Sequence, residues 1–217
     1  ELITQELRQA GACLPEGGQF IALEGTDGGT VDRLTVRIGR TDPTTLICLI
    51  VASTQTANAG ESTLLVADST GFASGSWIYI TPNGATGDFY TVIATTPTSL
   101  TLDAPLGVTH PAGSGIYAID ERVYEVDTTS YSNPVLTVAM DGGSAQPLVD
   151  GVDVFNIQYQ LAPCPPCAPV NVPADDSEWR LVRSLMISAT IRSNHVDTDG
   201  NLAYESGRVH VRPRNLL

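Results

Sequence analysis

Two short stretches set reactive side chains at spacings that chemistry uses. Cys164-Pro165-Pro166-Cys167 has the C-x-x-C spacing of thiol oxidoreductases and of half a zinc site. A redox pair needs a strand-to-helix setting, which Pro163, Pro165, Pro166 and Pro169 deny. A four-cysteine zinc site would have to recruit Cys13 and Cys48, which lack paired spacing. Structural disulfides are the favoured reading, with metal and redox sites as the alternatives. A Cys164–Cys167 bond would stiffen an exposed proline-rich loop and, closing so tight a ring, gain little chain entropy. A Cys13–Cys48 bond would tie a helix end to a buried strand and stabilise by about 3–4 kcal/mol on loop length.

The second stretch, Asp197-Thr198-Asp199-Gly200-Asn201, looks like the opening of a calcium loop. An EF-hand needs glycine at the sixth loop position and a bidentate glutamate at the twelfth. Leu202 and Arg208 stand there, so Asp197, Asp199 and Asn201 form only a weak calcium candidate, and an Asp-Gly turn between strands is the plainer reading. His110, His195 and His210 fall in separate turn or strand-edge contexts, His110 in a loop before Pro111, and no G-x-S-x-G elbow occurs. No catalytic set and no cofactor is expected, and the chain does not read as an enzyme. Asp175-Asp176 reads as a solvated turn. Arg180 and Arg183 read as surface partners for carboxylates, with an anion clamp as the sharper alternative. In Trp77, Tyr79, Phe89 and Tyr90, Trp77 and Tyr79 share one strand face, where core packing is favoured over carbohydrate stacking.

The elements that must hold these residues are mostly strands. The 217 residues suit one domain, or one domain with a modest insert. Against 24 acidic residues stand 11 basic ones, all arginine, for a net charge of −13. Phosphate backbones demand a positive surface, so general nucleic-acid binding is not expected. The lack of lysine excludes Schiff-base chemistry and a P-loop. The longest apolar run, Leu46 to Ala52, is far shorter than the ~18 residues of a membrane span and reads as a central strand covered on both faces. Charged residues make up 16% of the chain against about 25% in ordinary soluble domains, and Thr, Ser, Gly, Pro and Asn are plentiful. With an even cysteine count this points to an oxidising, extracellular setting. The chain opens on Glu1 without methionine or signal segment, as a trimmed or processed product would.

Helical spacing occurs at the start, where Ile3, Leu7, Ala10 and Leu14 share one face and Gly11 supplies a stop. After Pro15 the period becomes two. Leu34, Val36 and Ile38 alternate with Thr35 and Arg37, and Val152 to Tyr159 alternates with a parity change near Phe155 and Asn156 that a bulge would reconcile. Leu181 to Arg192 is the longest late strand, after a polar turn at Asp175 to Ser177, and Arg208 to Arg212 closes the sheet. From Ala57 to Ile119 short strands recur every ~10 residues between Gly, Pro and Asn, the spacing of a small barrel or sandwich. Inside Glu61 to Asp103 only Asp68 and Asp88 are charged.

Three stretches together resemble one family. ELITQELRQAGAC is similar to the end of the long N-terminal helix of PilW-like type IV minor pilins. PLVDGVDVFNIQYQL is similar to that family's Leu-Val-acid-Gly-Val strand segment, and EWRLVRSLMISATIRS to its late Trp-x-x-Val motif and following strand. SLTLDAPLG and PAGSGIYAIDERVYEVD resemble its mid-region. The resemblance implies an α+β, pilin-like fold: an N-terminal helix packed on an antiparallel sheet through Ile3, Leu7, Ala10 and Leu14, with an inserted small all-β subdomain. Residues 1–56 and 120–217 would form the head, with the helix over 1–13, and 57–119 the insert. It also implies a subunit that primes pilus assembly or sits at the pilus tip. Its partners would be other major and minor pilins and a tip adhesin, with the inner membrane reached through an apolar helix segment upstream. Such a subunit passes from the inner membrane and periplasm of a bacterium to the extracellular pilus. The alternatives are a minor pseudopilin of type II secretion, a phage or surface-fibre β-module, and a DNA-uptake role resting on local arginine clusters.

Overall fold

A computed structural model describes residues 2–15, 20–82, 87–130, 133–163, 168–196 and 202–213. In chain order the elements are α1 (Leu2–Gln9), β1 (Leu23–Thr26), β2 (Arg33–Gly39), β3 (Ile50–Ala52), β4 (Thr63–Leu65), β5 (Trp77–Thr81) and β6 (Asp88–Thr96). They continue with β7 (Ser99–Leu102), β8 (Gly115–Asp127), β9 (Val135–Met140), β10 (Gln146–Asp150), β11 (Val152–Leu161), α2 (Asp176–Trp179), β12 (Val182–Val196) and β13 (Leu202–Val211).

The expected α+β class is corrected here. The chain is 52% strand and 6% helix, a mostly-β protein of curled antiparallel sheet rather than an N-terminal helix packed on a sheet. The physical reason lies in how briefly the helical pattern lasts. α1 ends at Gln9, Gly11 takes the left-handed φ of +80° that closes a helix, and everything beyond is built on strand periodicity. Of the four residues expected on one helical face, Leu7 and Ala10 are fully buried, Ile3 is half-buried, and Leu14 is buried in the turn beyond the helix.

The chain groups into two compact units: Glu1–Ala10, Ile21–Arg37 and Glu121–Leu217 in the first, Gly11–Phe20 and Ile38–Asp120 in the second. The cuts read from the sequence, at 57 and 119, compare with 38 and 120 here.

In the first unit β1 pairs antiparallel with β2, Leu23 opposite Val36. Leu34 and Val36 are fully buried, as their alternation predicts. Residues 122–127 of β8 pair with β9, and β9 with β10. β11, β12 and β13 form an antiparallel three-stranded sheet. The bulge expected near Phe155 falls between Val152 and Val154 instead, and a second lies between Gln160 and Leu161. β12 runs four residues past the expected Arg192. The turn at 175–177 starts one helical turn: the Asp175 carboxylate accepts from the Ser177 and Glu178 N–H groups and caps α2. Asp32, 2% exposed, accepts from Ile157 N at 2.7 Å and Gly28 N at 3.0 Å, which satisfies a carboxylate that burial would otherwise penalise.

In the second unit β3 and β5 pair with residues 115–119 of β8, β5 with β6, β6 with β7 and β7 with β4. Leu64, Ile78, Ile80, Val92, Leu100 and Ile116, each fully buried, form its core. The reading of Leu46 to Ala52 as a covered central strand is also corrected: only Ile50–Ala52 is a strand, and Leu46 and Ile47 are 76% and 67% exposed. They sit on a hairpin tip whose turn is set by Asp42, which accepts from the N–H groups of Thr44 and Thr45. Polar turn chemistry at Asp42-Pro43-Thr44 outweighed the apolar run that follows it.

Cys13 and Cys48 form a disulfide with a Cα–Cα distance of 5.4 Å across 35 residues. Gly39 lies against Cys13, where any Cβ would collide with the Cys13 carbonyl, and its N–H donates to Ala12 O at 2.7 Å.

Replacing Cys13 and Cys48 together by Ser should lower the unfolding free energy by about 3–4 kcal/mol, read from urea denaturation. Leu7→Asp places an unpaired charge in a site with no exposure and should cost about 3 kcal/mol or more. A melting temperature unchanged by Leu7→Asp would contradict the burial.

Candidate functional site

The residues around α1 make the most distinctive polar site of the first unit. Glu6 lies on the same helix as Leu7, and both are buried. Its carboxylate accepts a hydrogen bond from the Tyr124 hydroxyl and pairs with the Arg122 guanidinium, both from β8. Tyr124 is itself fully buried. Tyr124 and Arg122 are two apart, the spacing that sends strand side chains to one face, so a single stretch of β8 supplies the donor and the counter-charge. Burial pushes the Glu6 carboxyl up to about 7, while Arg122 works in the opposite sense by favouring the anion. α1 is thus held by a carboxyl whose proton is exchangeable near neutrality.

Beside this anchor, α1 borders a groove of about 750 Å³ on the β12–β13 sheet. Its floor follows from the strand register: Ile187 opposite Val209, Ala189 opposite Gly207 and Ile191 opposite Glu205. Thr4, Gln5 and Arg8 of α1 form one wall; Arg208 borders the groove, although strand alternation turns its side chain to the other face with Ser188. Ile191 and Val209 remain 38% and 37% exposed. Among the described residues neither Arg8 nor Arg208 makes an ion pair. A floor of small and branched residues that also holds Glu205, walled by the Arg8 guanidinium, suits an apolar segment whose carboxylate meets Arg8.

A second polar pair, a buried histidine with a partly exposed aspartate, lies in the second unit. His110, fully buried, has Nε2 3.4 Å from Asp88 Oδ2, and its backbone exchanges two hydrogen bonds with Ala57. Burial lowers its pKa and the Asp88 charge opposes that shift. His110 lies in the loop setting expected from Pro111, outside the named strands, but is bridged to Ala57 and buried. Ser53 and Ser114 both donate to the Pro111 carbonyl, so those hydroxyls serve the turn.

Sequence reasoning missed Glu6, because a lone glutamate in an amphipathic helix ordinarily faces water. The only available signal was that Glu6 neighbours Leu7 on the apolar side. It also missed His110, whose partner Asp88 is 22 positions away. Trp77 stacks on Phe89 with centroids 5.9 Å apart, while Phe20 and Tyr79 meet edge-on at 4.8 Å. Tyr79 is 3% exposed and Tyr90 8%, so aromatic packing accounts for that group. Arg180 and Arg183 show no ion pair among the described residues. Cys164 and Cys167, and the calcium candidate Asp197, Asp199 and Asn201, lie outside the described residues. Among the described residues no cluster of three metal-ligating side chains occurs. Compared with known proteins, the chain matches no family model and no curated protein.

Linkage gives the Glu6 site a measurable signature. The folded protein holds this proton more tightly than the unfolded chain, so stability falls as pH rises from about 4.5 through about 7. His110, with its lowered pKa, contributes a slope of opposite sign in the same window, since its stabilisation is lost as pH falls. The comparison of wild type with Glu6→Gln isolates the carboxyl, because His110 is common to both. Melts from pH 5 to 8 should show the variant gaining on wild type by at least about 1 kcal/mol as pH rises. Parallel profiles would rule the buried carboxyl out.

Proposed function

We propose that this chain is the head of a filament subunit of the PilW-like minor-pilin type, which primes type IV pilus assembly or occupies the pilus tip through contacts with other pilins. The observation that carries the reading is where the resembling stretches fall. Residues 1–10 with α1, the β11 stretch and the α2–β12 stretch, distant in sequence, belong to one compact unit, while residues 11–13 and the mid-region stretches up to Asp120 belong to the other. Within the first, β11 and β12 are paired from Val152–Ile191 to Leu161–Val182. The arrangement supports the reading because a shared ancestry would retain such pieces as a cooperating set.

In this proposal assembly is the whole mechanism. An apolar segment upstream of Glu1 holds the subunit in the inner membrane until a growing filament takes it up. Among the described residues no helix is long and apolar enough to cross a membrane, so that segment is to be sought in the preceding codons. The groove beside α1 receives an apolar stretch of a neighbouring pilin, its carboxylate set beside Arg8. The charge of −13 repels indiscriminate partners and leaves the few basic spots to define the contact. The subunit would leave the periplasm with the filament and end at the cell surface.

The mostly-β content favours a second reading, a surface-fibre β-module, in which the same groove meets a neighbouring fibre domain. Two measurements separate them. The pilin reading expects the upstream reading frame to encode a short basic leader ending in glycine and then ~20 apolar residues, the length that spans a bilayer. It also expects mass spectrometry of sheared type IV pili to recover this chain in few copies, with Arg8→Glu reducing its recovery several-fold. A polar upstream sequence, with no recovery in pili, would sink it.

A further inference from the structure

We propose that the outer edge of β13 is a homotypic interface, at which two copies of this chain pair their β13 strands antiparallel with Ser206 facing Ser206. The inference goes beyond the filament reading and does not depend on it.

The two edges of the β11–β12–β13 sheet are unlike. On the β11 side, Phe155 bridges to Val31 and Tyr159 to Val170, so that edge is partly closed. On the other side β13 pairs with β12 alone among the described residues, and Ala203 to His210 are exposed without interruption. A long edge strand is a standing template for another strand, and proteins usually blunt one with proline, lysine or a bulge. β13 holds neither proline nor lysine, and its register with β12 is unbroken from Leu185–Val211 to Arg192–Tyr204.

Charge then selects a register. A two-fold axis perpendicular to the sheet keeps every side chain on its own face, so facing residues must share parity and the pairing must centre on a residue. Centring on Glu205 or on Arg208 sets like charges face to face, which is destabilising. Centring on Gly207 puts Tyr204 opposite His210 and leaves Arg208 opposite Ser206. Centring on Ser206 instead places Tyr204 of each copy opposite Arg208 of the other. That aromatic–guanidinium pair is made twice, from a tyrosine 60% exposed and an arginine that makes no ion pair among the described residues. The same register sets Ala203 against Val209 and Glu205 against Gly207, where open space surrounds the missing Cβ. It engages nearly the whole exposed run.

Facing residues of an antiparallel pair have Cα atoms about 4.5–5.5 Å apart, within reach of a disulfide. Ser206 is exposed, its hydroxyl bonded to Thr190, so Ser206→Cys should fold. Under mild oxidation Ser206→Cys should give a covalent dimer on non-reducing electrophoresis that reductant dissolves. Wild type under the same oxidant should give none, and Gly207→Cys several-fold less. Sedimentation of wild type should show a concentration-dependent dimer that Arg208→Glu weakens at least tenfold. A Ser206→Cys protein that forms no covalent dimer overturns the proposal, as does a covalent dimer that wild type forms equally or that Gly207→Cys forms better.

Discussion

Each strand carries N–H and C=O groups along both edges, and a buried group left unpaired costs about 1–3 kcal/mol. With so much of the chain in strands, that demand organises both units. β8 is the clearest case. Its early residues take β3 and β5 as neighbours, and its later residues take β9. The requirement is met with very short elements where it must be, as in three-residue β3 and β4, and with isolated bridges such as Thr41–Cys48. Where it is met on one side only, as at β13, the structure carries an open surface.

Charge is distributed by the same economy. A chain with more than twice as many acids as bases uses several of its arginines to neutralise carboxylates near its strands: Arg37 with Glu121 at 2.7 Å and Glu24 at 2.8 Å, Arg40 with Asp120 at 2.7 Å, and Arg122 with Glu6. The exposed acids are instead held by backbone N–H groups in turns, as at Asp42, Asp68, Asp127 and Asp175, which keeps their pKa values low. Glu6 and Asp32 are exceptions: burial raises both pKa values, and the ionisation of Glu6 is coupled to how α1 is held. A short helix is marginal alone, and here a single carboxyl with two partners on one strand secures it.

The proposed assembly role and the geometry meet at this first unit. That reading draws on two of its surfaces: a groove walled by Arg8 and a strand edge with its own complementary register. Both offer what association needs, apolar area with a few charges to set orientation.

Local pattern was enough for what depends on neighbours in sequence. Alternation located β2, β11 and β12, Gly11 ended α1, a polar run marked the turn at Asp175 to Ser177, and an even cysteine count with Cys164–Cys167 set apart left Cys13 with Cys48. Composition alone removed lysine chemistry. The tertiary structure decided the fold class, because a four-residue apolar repeat looks the same at the end of a long helix and in one of eight residues. It decided the fate of Leu46 and Ile47, whose apolar character predicts burial although the Asp42 turn carries them into solvent. It also decided Glu6 and His110, since burying one polar side chain depends on partners such as Tyr124 and Asp88. Those partners arrive from elsewhere in the chain, and no periodicity along it records their approach.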